Sequence, residues 1–527
     1  MELKKQIIKN ALISVFNKKN IITLTKQLLK KKIKIFTTKN TKKFLKNNNI
    51  ITNSISKITE YPEILHGKVK TLHPKIFGGI LGNRNDNDLK YIKKYNITII
   101  DLVVVNFYPF DISEKNINIK KNIDIGGPAL VRAAAKNYKN TIVLVDILDY
   151  DKIISEMNSI KGVSIETRLK LAKKAFEYTS NYDYLIFKYF NKKIYNKKHI
   201  NSKLPNKIYI KYYKKQNLKY GENPNQKAAL YIKENKNDKF INSFKQLNGK
   251  KLSYNNFYDS HIAYECVNQF SNPSCVIIKH GNPCGASSSD NLISSYLNAY
   301  NSDSISAFGG IIGFNKIITE ELIIKITKKQ FVELIIGPEI TKEALNYIKK
   351  NNKIKLIICK NYNNNYSKIE FKNINHYLLV QEKNLQNDQF KNWEVVTKKK
   401  PTELEIQYSL FCWKIAKFVK SNAIVYSNKF NIISIGSGQT NRVEAVKIAN
   451  LKYKNNKKKL QLKNQNIIMA SDAFFPFRDS IDECINNNHN ISCIIQPGGS
   501  IRDQEVIKAA DEYNICMIFT KNRIFKH

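Results

Sequence analysis

Short runs of β-branched and small apolar residues, each followed by an amphipathic stretch, recur along the whole of this chain. A strand that returns parallel to its neighbour needs a crossover of a dozen residues or more, and an amphipathic helix supplies one. The alternation therefore restricts the fold to α/β, with helices laid over mainly parallel sheets. Strands are expected at 12–16, 33–37, 99–105 and 142–145, with helices near 21–31 and 166–189. Residues 191–217, rich in Lys, Asn and Tyr, have little periodicity and read as a linker between a domain at 1–190 and one at 218–527. In the latter, strands are expected around Cys275, Ile311, Ile335, Ile357, Ile424, Ile433, Ile467, Ile494 and Met517. That is too many for one ordinary open sheet, so two sheet-containing subdomains dividing within 361–400 are expected. The low-complexity stretch 453–466 reads as an exposed loop.

The net charge of +45 invites a nucleic-acid reading. Seven of the 88 basic residues are Arg, however, and the lysines are dispersed through every segment alongside Asn and Ile. This is a chain-wide bias; it favours anionic small substrates by general field and predicts no contiguous RNA-binding face. No nucleic-acid partner is expected. The 8 cysteines form no CxxC pair, so no zinc site is written here, no catalytic metal is expected, and reduced thiols in a cytoplasmic protein are the default. No apolar run is long enough to cross a membrane, and no membrane partner is expected.

Against that background the glycine-rich motifs stand out. The stretch 274–285, SCVIIKHGNPCG, ends an apolar strand at Lys279 and His280 and passes at once into a Gly/Pro loop, the place where an α/β sheet presents side chains to a ligand. DIGGPALVRAAAK at 124–136 opens a helix, with Pro128 at a plausible first helical position and free N–H groups facing whatever Asp124 faces. Arg132 and Lys136 share one face of that helix, an unfavourable pair unless an anion or Asp124 compensates them. IGSGQTNR at 435–442 lacks the third glycine and the later acidic residue of a dinucleotide loop. In SDAFFPFRD at 471–479 a proline interrupts an apolar run, so its rings are expected to wall a pocket.

Taken in order, DIGGP, KYGENP, KHGNPCG, SAFGG, SNAIVY, SDAFFPFRD, QPGGSIRD and the Arg-bearing TKNRIF make the chain resemble the bifunctional purine biosynthesis enzymes that join AICAR transformylase to IMP cyclohydrolase. The resemblance implies an N-terminal methylglyoxal-synthase-like domain and a C-terminal transformylase of two cytidine-deaminase-like α/β subdomains. It also implies a homodimer with the transformylase site near the subunit interface. The implied ligands are AICAR, FAICAR and IMP, with 10-formyltetrahydrofolate as co-substrate. By the same resemblance His280 takes the amine proton of AICAR while Lys279 and Asn422 stabilise the developing oxyanion. Lys219, Tyr220, Asn256, Phe308, Gly309, Arg442, Phe474, Asp479 and Arg523 match positions that hold nucleotide or folate. In the first domain Lys70, Tyr108, Asp124 and Lys136 match the ring-closing group. Ser14, Lys18, Thr38, Thr41, Lys68, Thr71, Asn106, Gly126 and Gly127 match its substrate-binding residues.

Departures from the pattern fall mostly in the first domain. Phe16 and Asn17 replace a Ser-Asp pair, and Lys39 and Asn40 replace two glycines of a phosphate loop. Lys68 and Lys219 each replace an Arg, keeping charge but losing the fork. Weakened nucleotide affinity is the expectation, and a transformylase with a degraded cyclohydrolase domain is the alternative reading.

Overall fold

The run LVVVN at 102–106 is too apolar for a half-exposed strand, and the fold buries it at the middle of a parallel sheet. In the computed structural model this sheet comprises β1 (Asn10–Val15), β2 (Lys34–Thr37), β3 (Asn53–Ser54), β4 (Leu102–Asn106) and β5 (Ile142–Leu144), in the order β3-β2-β1-β4-β5. All four pairings are parallel. From β1 the chain winds outward one way through β2 and β3, then crosses back to β4 and β5. The carboxyl ends of β1 and β4 therefore flank a topological switch point, where open sheets bind ligands.

The structure describes residues 5–110, 123–195, 204, 206–233, 244–350, 353–360, 369–384, 389–457, 465–486 and 490–527. Two units separate, Met1–Lys203 and Leu204–His527. Two expected boundaries shift. The helix Ile165–Tyr195 runs into the expected linker, carried on by Leu171, Ala172, Ala175 and Tyr182, which pack into the first unit's core. At the linker's other end Tyr212–Asn217 is a strand (β6), paired antiparallel with Ala229–Lys233 (β7). Cross-strand pairing makes a strand there of a sequence with weak alternation.

The second unit corrects the expectation of separate sheets. Its strands are β8 (Phe244–Asn248), β9 (Ser274–Lys279), β10 (Asn282–Ser288), β11 (Ile311–Phe314), β12 (Leu334–Gly337), β13 (Lys355–Cys359), β14 (Ile369–Ile374), β15 (Tyr377–Glu382), β16 (Glu394–Val395), β17 (Ile424–Asn428), β18 (Asn431–Gly436), β19 (Ile467–Ser471), β20 (Ile491–Gln496) and β21 (Cys516–Phe519). Apart from the β14–β15 hairpin and the β6–β7 pair, they form one 12-stranded sheet ordered β16-β21-β20-β19-β17-β18-β10-β9-β11-β12-β13-β8. The two α/β halves join edge to edge where Ser287 of β10 faces Asn431 of β18. A shared core explains the fusion. On one face the helices Tyr254–Val267 and Glu403–Ala416 pack together over strands of both halves, whereas the other face carries a separate core for each half. Of the expected division, 361–368 and 385–388 lie outside the described residues.

Two further readings change. The helix Arg442–Lys457 continues through Tyr453, which is 2% exposed, so 453–457 is not loop; 458–464 lies outside the described residues. Phe475 is completely buried among Tyr426, Ile481 and Val506 and fills core instead of walling a pocket. The turn imposed by Pro476 points that ring inward while Phe474 stays half-buried and Phe477 exposed.

Candidate active sites

In the first unit the residues converge at the carboxyl ends of β1, β2 and β4. Asp124 precedes the helix Gly126–Lys136, and its Oδ1 accepts from Gly127 N at 2.8 Å. Pro128 is the third helical residue, still within the first turn, where a missing N–H removes no helix bond. Glycine is required at 127 because a Cβ there would lie 2.5 Å from Asp124 Oδ2, and at 126 it would lie 2.6 Å from Thr71 Oγ1. Burial pushes the Asp124 carboxyl up, opposed by the Gly127 and Tyr108 amides and the Lys70 ammonium. Burial, and then the neighbouring Lys70, hold Lys18 below the usual lysine range. Asn106 Oδ1 accepts from Phe16 N at 2.6 Å and Asn17 N at 2.8 Å, fixing the loop after β1. Thr38 donates to Ser14 Oγ at 3.3 Å and Thr41 to Val15 O at 3.4 Å. The Phe16 and Tyr108 rings lie 5.2 Å apart.

Two tyrosines that the motifs do not contain support this group. From the helix Ile165–Tyr195, the Tyr182 hydroxyl accepts from Asp124 N at 2.8 Å and that of Tyr178 from Phe107 N at 3.1 Å. Tyr182 is buried and Tyr178 half-buried on a helical face that reads simply as core, so no local signal marks them. Glu63 is a further omission: its Oε1 accepts from Lys39 N at 3.0 Å, placing a carboxylate on the first amide of the helix Lys39–Lys46. The Lys39 and Asn40 side chains are exposed.

Lys136 is not part of this group. It ends the helix that Gly126 begins, and ten residues at about 1.5 Å each leave it roughly 15 Å away. Arg132 lies 5.7 Å from the Phe176 ring, so Asp124 compensates neither cation. Both open on a groove that also holds Phe77, Leu169 and Lys173. Lys68 is exposed just after the turn Leu65–Gly67.

In the second unit the KHG loop is a tight hairpin between β9 and β10, with His280 at φ 51° and Gly281 at φ 76°. Lys279 Nζ donates to Phe308 O at 2.7 Å, beside Gly309 at φ 66°. The Phe308 and Phe331 rings lie 5.8 Å apart, and Gly309 N donates to Phe331 O at 2.8 Å. Two residues on lead to Glu333, another group absent from the motifs, which accepts from Lys355 Nζ at 2.6 Å and Asn256 Nδ2 at 3.2 Å. Although burial pushes Glu333 up, Lys355, Asn256 and Lys219 hold it below the usual range. Asn256 is thus largely committed, since its Oδ1 also caps the helix Tyr254–Val267. Tyr220 O accepts from Tyr254 N at 3.0 Å, and the Lys219 ammonium sits 5.0 Å from the Tyr220 ring.

Across the sheet junction, Lys420 N donates to Asn282 Oδ1 at 2.9 Å and so ties the His280 loop to the loop that carries Asn422. Asn422 Oδ1 accepts from Arg442 Nη2 at 2.8 Å and its Nδ2 donates to Gln439 O at 2.9 Å, leaving one N–H. Arg442 is 6% exposed; its Nη1 donates to Ser471 Oγ at 2.7 Å and pairs with Asp472 at 2.5 Å. The fork of Arg442, which the resemblance matches to a ligand-holding position, is thus mainly committed to protein groups. Asp472 belongs to SDAFFPFRD, yet the acidic residue singled out there was Asp479. The structure puts Asp479 at the exposed start of the helix Asp479–Ile485, accepting from Ser480 N at 2.6 Å. Arg523 is exposed and 4.5 Å from the Phe525 ring, one residue from Ile524, whose N donates to Asp472 O at 3.1 Å.

Among the described residues, no group of three or more His, Cys, Asp or Glu could hold a metal ion, and no helix is long and apolar enough to cross a membrane. Two family models match the chain, the AICARFT/IMPCHase bienzyme over residues 134–452 and the MGS-like domain over 20–129. The bifunctional purine biosynthesis protein PurH of Buchnera aphidicola subsp. Acyrthosiphon pisum (strain 5A) is 52% identical over 533 residues, spanning 99% of each chain. The protein of that name from Wigglesworthia glossinidia brevipalpis is 47% identical over 531 residues, again spanning 99% of each. A solved structure, that of ForH, is 32% identical and covers 35% of this chain and 99% of its own, with a TM-score of 0.33.

Proposed function

This chain belongs to the AICARFT/IMPCHase bienzyme family, and from that premise we propose how its two centres divide the work. It is an enzyme of the last two steps of purine biosynthesis, formylation of AICAR to FAICAR with a folate and dehydrative closure of FAICAR to IMP. The formyl donor assigned here is 10-formyltetrahydrofolate. The AICAR amine is a weak nucleophile because its lone pair is delocalised into the imidazole and carboxamide, so transfer needs a base and a polarised formyl group. His280 is the base, and the remaining Asn422 N–H with the Lys279 ammonium stabilises the oxyanion. The observation that carries this reading is the Lys420–Asn282 bond, which links the loop of the base to the loop of the amide. Lys219, Tyr220 and Arg523 supply cations and a hydroxyl for the nucleotide and folate, and the exposed Phe308 supplies a ring.

In the first unit Asp124, raised by burial and flanked by Lys70 and the Tyr108 amide, handles the protons of ring closure. Gly126, Gly127, Thr71 and Ser14 bound the substrate. The working form is a homodimer with the formyl-transfer centre near the subunit interface; exposed Ile305, Phe308 and Phe331 beside Lys279 support it. Eight free cysteines support a reducing, cytoplasmic setting. The test is incubation with AICAR and 10-formyltetrahydrofolate, with IMP expected. Accumulation of FAICAR would mean that the first unit is inactive, and neither product would overturn the reading.

A further inference from the structure

The two halves of the long sheet repeat one another, and the repeat supplies an internal control for the second-half centre. Outward from the junction one half runs β10, β9, β11, β12, β13, β8 and the other β18, β17, β19, β20, β21, β16: a hairpin, three parallel strands and an antiparallel edge. Lys279 pairs with Asn282 as Asn428 pairs with Asn431, so Ser274 and Ala423 are equivalent. Cys275 lies opposite Phe314 and Ile424 opposite Ser471, which makes Asn315 the equivalent of Asp472. The following helices begin at Leu292 and Arg442, each after an asparagine that caps the N–H three residues on.

The two equivalent residues share one task. Ser274 N donates to Asn315 Oδ1 at 2.8 Å, as Ala423 N donates to Asp472 Oδ1 at 3.1 Å. Asn315 completes its loop with its own amide, donating to Phe270 O and Asn272 O at 2.8 Å each. A neutral side chain therefore suffices to pin the strand entry where the helix opens with Leu292. In the second half the side chain is a fully buried carboxylate that also takes the Ser421 hydroxyl and the Arg442 guanidinium. Arg442 in turn fixes Asn422 Oδ1. The charge answers to Arg442, and the strand entry does not need it.

We infer that Asp472 is a positioning residue for formyl transfer, holding Arg442 so that Arg442 aims the Asn422 amide. The inference rests on the reading that Asn422 donates to the reacting carbonyl. D472N keeps the loop contact and removes the counter-charge. It is expected to lower kcat for FAICAR formation on the order of 10-fold to 100-fold, with KM for AICAR changed by less than about threefold. On an N422A background the same substitution costs less than about threefold, because no amide remains to be aimed. Equal losses on both backgrounds, or an unchanged kcat, would overturn the inference. Since D472N leaves a buried guanidinium uncompensated, S421A is the second variant. It removes one hydroxyl from the carboxylate, and its expected loss of about threefold should vanish on the N422A background; a loss that adds in full overturns the inference. The side-chain amide resonance of Asn422 gives a readout without turnover. It shifts in folded D472N if the inference holds, and an unmoved resonance sinks it even if the parent chain makes no FAICAR, a result that would count against the functional reading alone.

Discussion

The first-unit centre is held by neutral hydroxyls on backbone amides, the second-unit centre by a buried charge. Tyr182 and Tyr178 reach across from a helix to Asp124 N and Phe107 N, whereas Arg442 and Asp472 meet at the carboxyl end of the interior strand β19 and fix Asn422. A neutral hydrogen bond contributes about 1 kcal/mol and can be lost singly. Half of a buried ion pair cannot, because its partner is left charged and dry, at roughly 3–5 kcal/mol. The first centre should therefore degrade by degrees under substitution, and the second abruptly.

The largest expected effect tests whether the centres are independent at all. H280A should lower FAICAR formation by roughly 10³-fold, the scale of a lost general base, while IMP formation from supplied FAICAR is unchanged. Parallel loss of both activities in a folded sample would break the comparison. Next in size, K70M should cut ring closure on the order of 100-fold and spare formyl transfer. It should also move the titration of the Asp124 carboxyl further up, since the ammonium that favours the anion is gone. Carboxyl NMR would read this, and a downward or absent shift would separate Lys70 from Asp124. Y182F sharpens the claim about neutral contacts. It removes the acceptor of Asp124 N, and the expected results are about 1 kcal/mol of stability lost by the first unit and a few-fold slower closure; a collapse as deep as that of K70M would mean that this contact is not dispensable. The smallest effect concerns the altered phosphate loop. E63Q takes the anion off Lys39 N and should lower KM for FAICAR by about threefold. K39G/N40G, whose native side chains are exposed, should change it by less than about twofold.

Much of both centres was legible because motif residues lie where strands end. Lys279 ends β9 and His280 follows it, and Asp124 with Gly126 and Gly127 opens a helix, so backbone geometry alone announces them. Tyr178, Tyr182 and Glu333 were not legible, since each acts on a backbone or side chain far along the chain and resembles ordinary core or surface. Asp472, unlike Asp479, carried no signal of its own, for a related reason. Both flank the same aromatic run, and only the strand pairing of β19 with β17 turns one of them inward.

Local pattern alone determined the α/β alternation, the buried strands and the helix that begins at DIGGP, because side-chain period and backbone freedom act over a few residues. The tertiary structure decided the fusion at β10 and β18 and the inward turn of Arg442. The contacts that set these outcomes join residues as far as 144 positions apart, as Ser287 and Asn431 are, and no nearby side chain specifies which of many equally polar partners will be met.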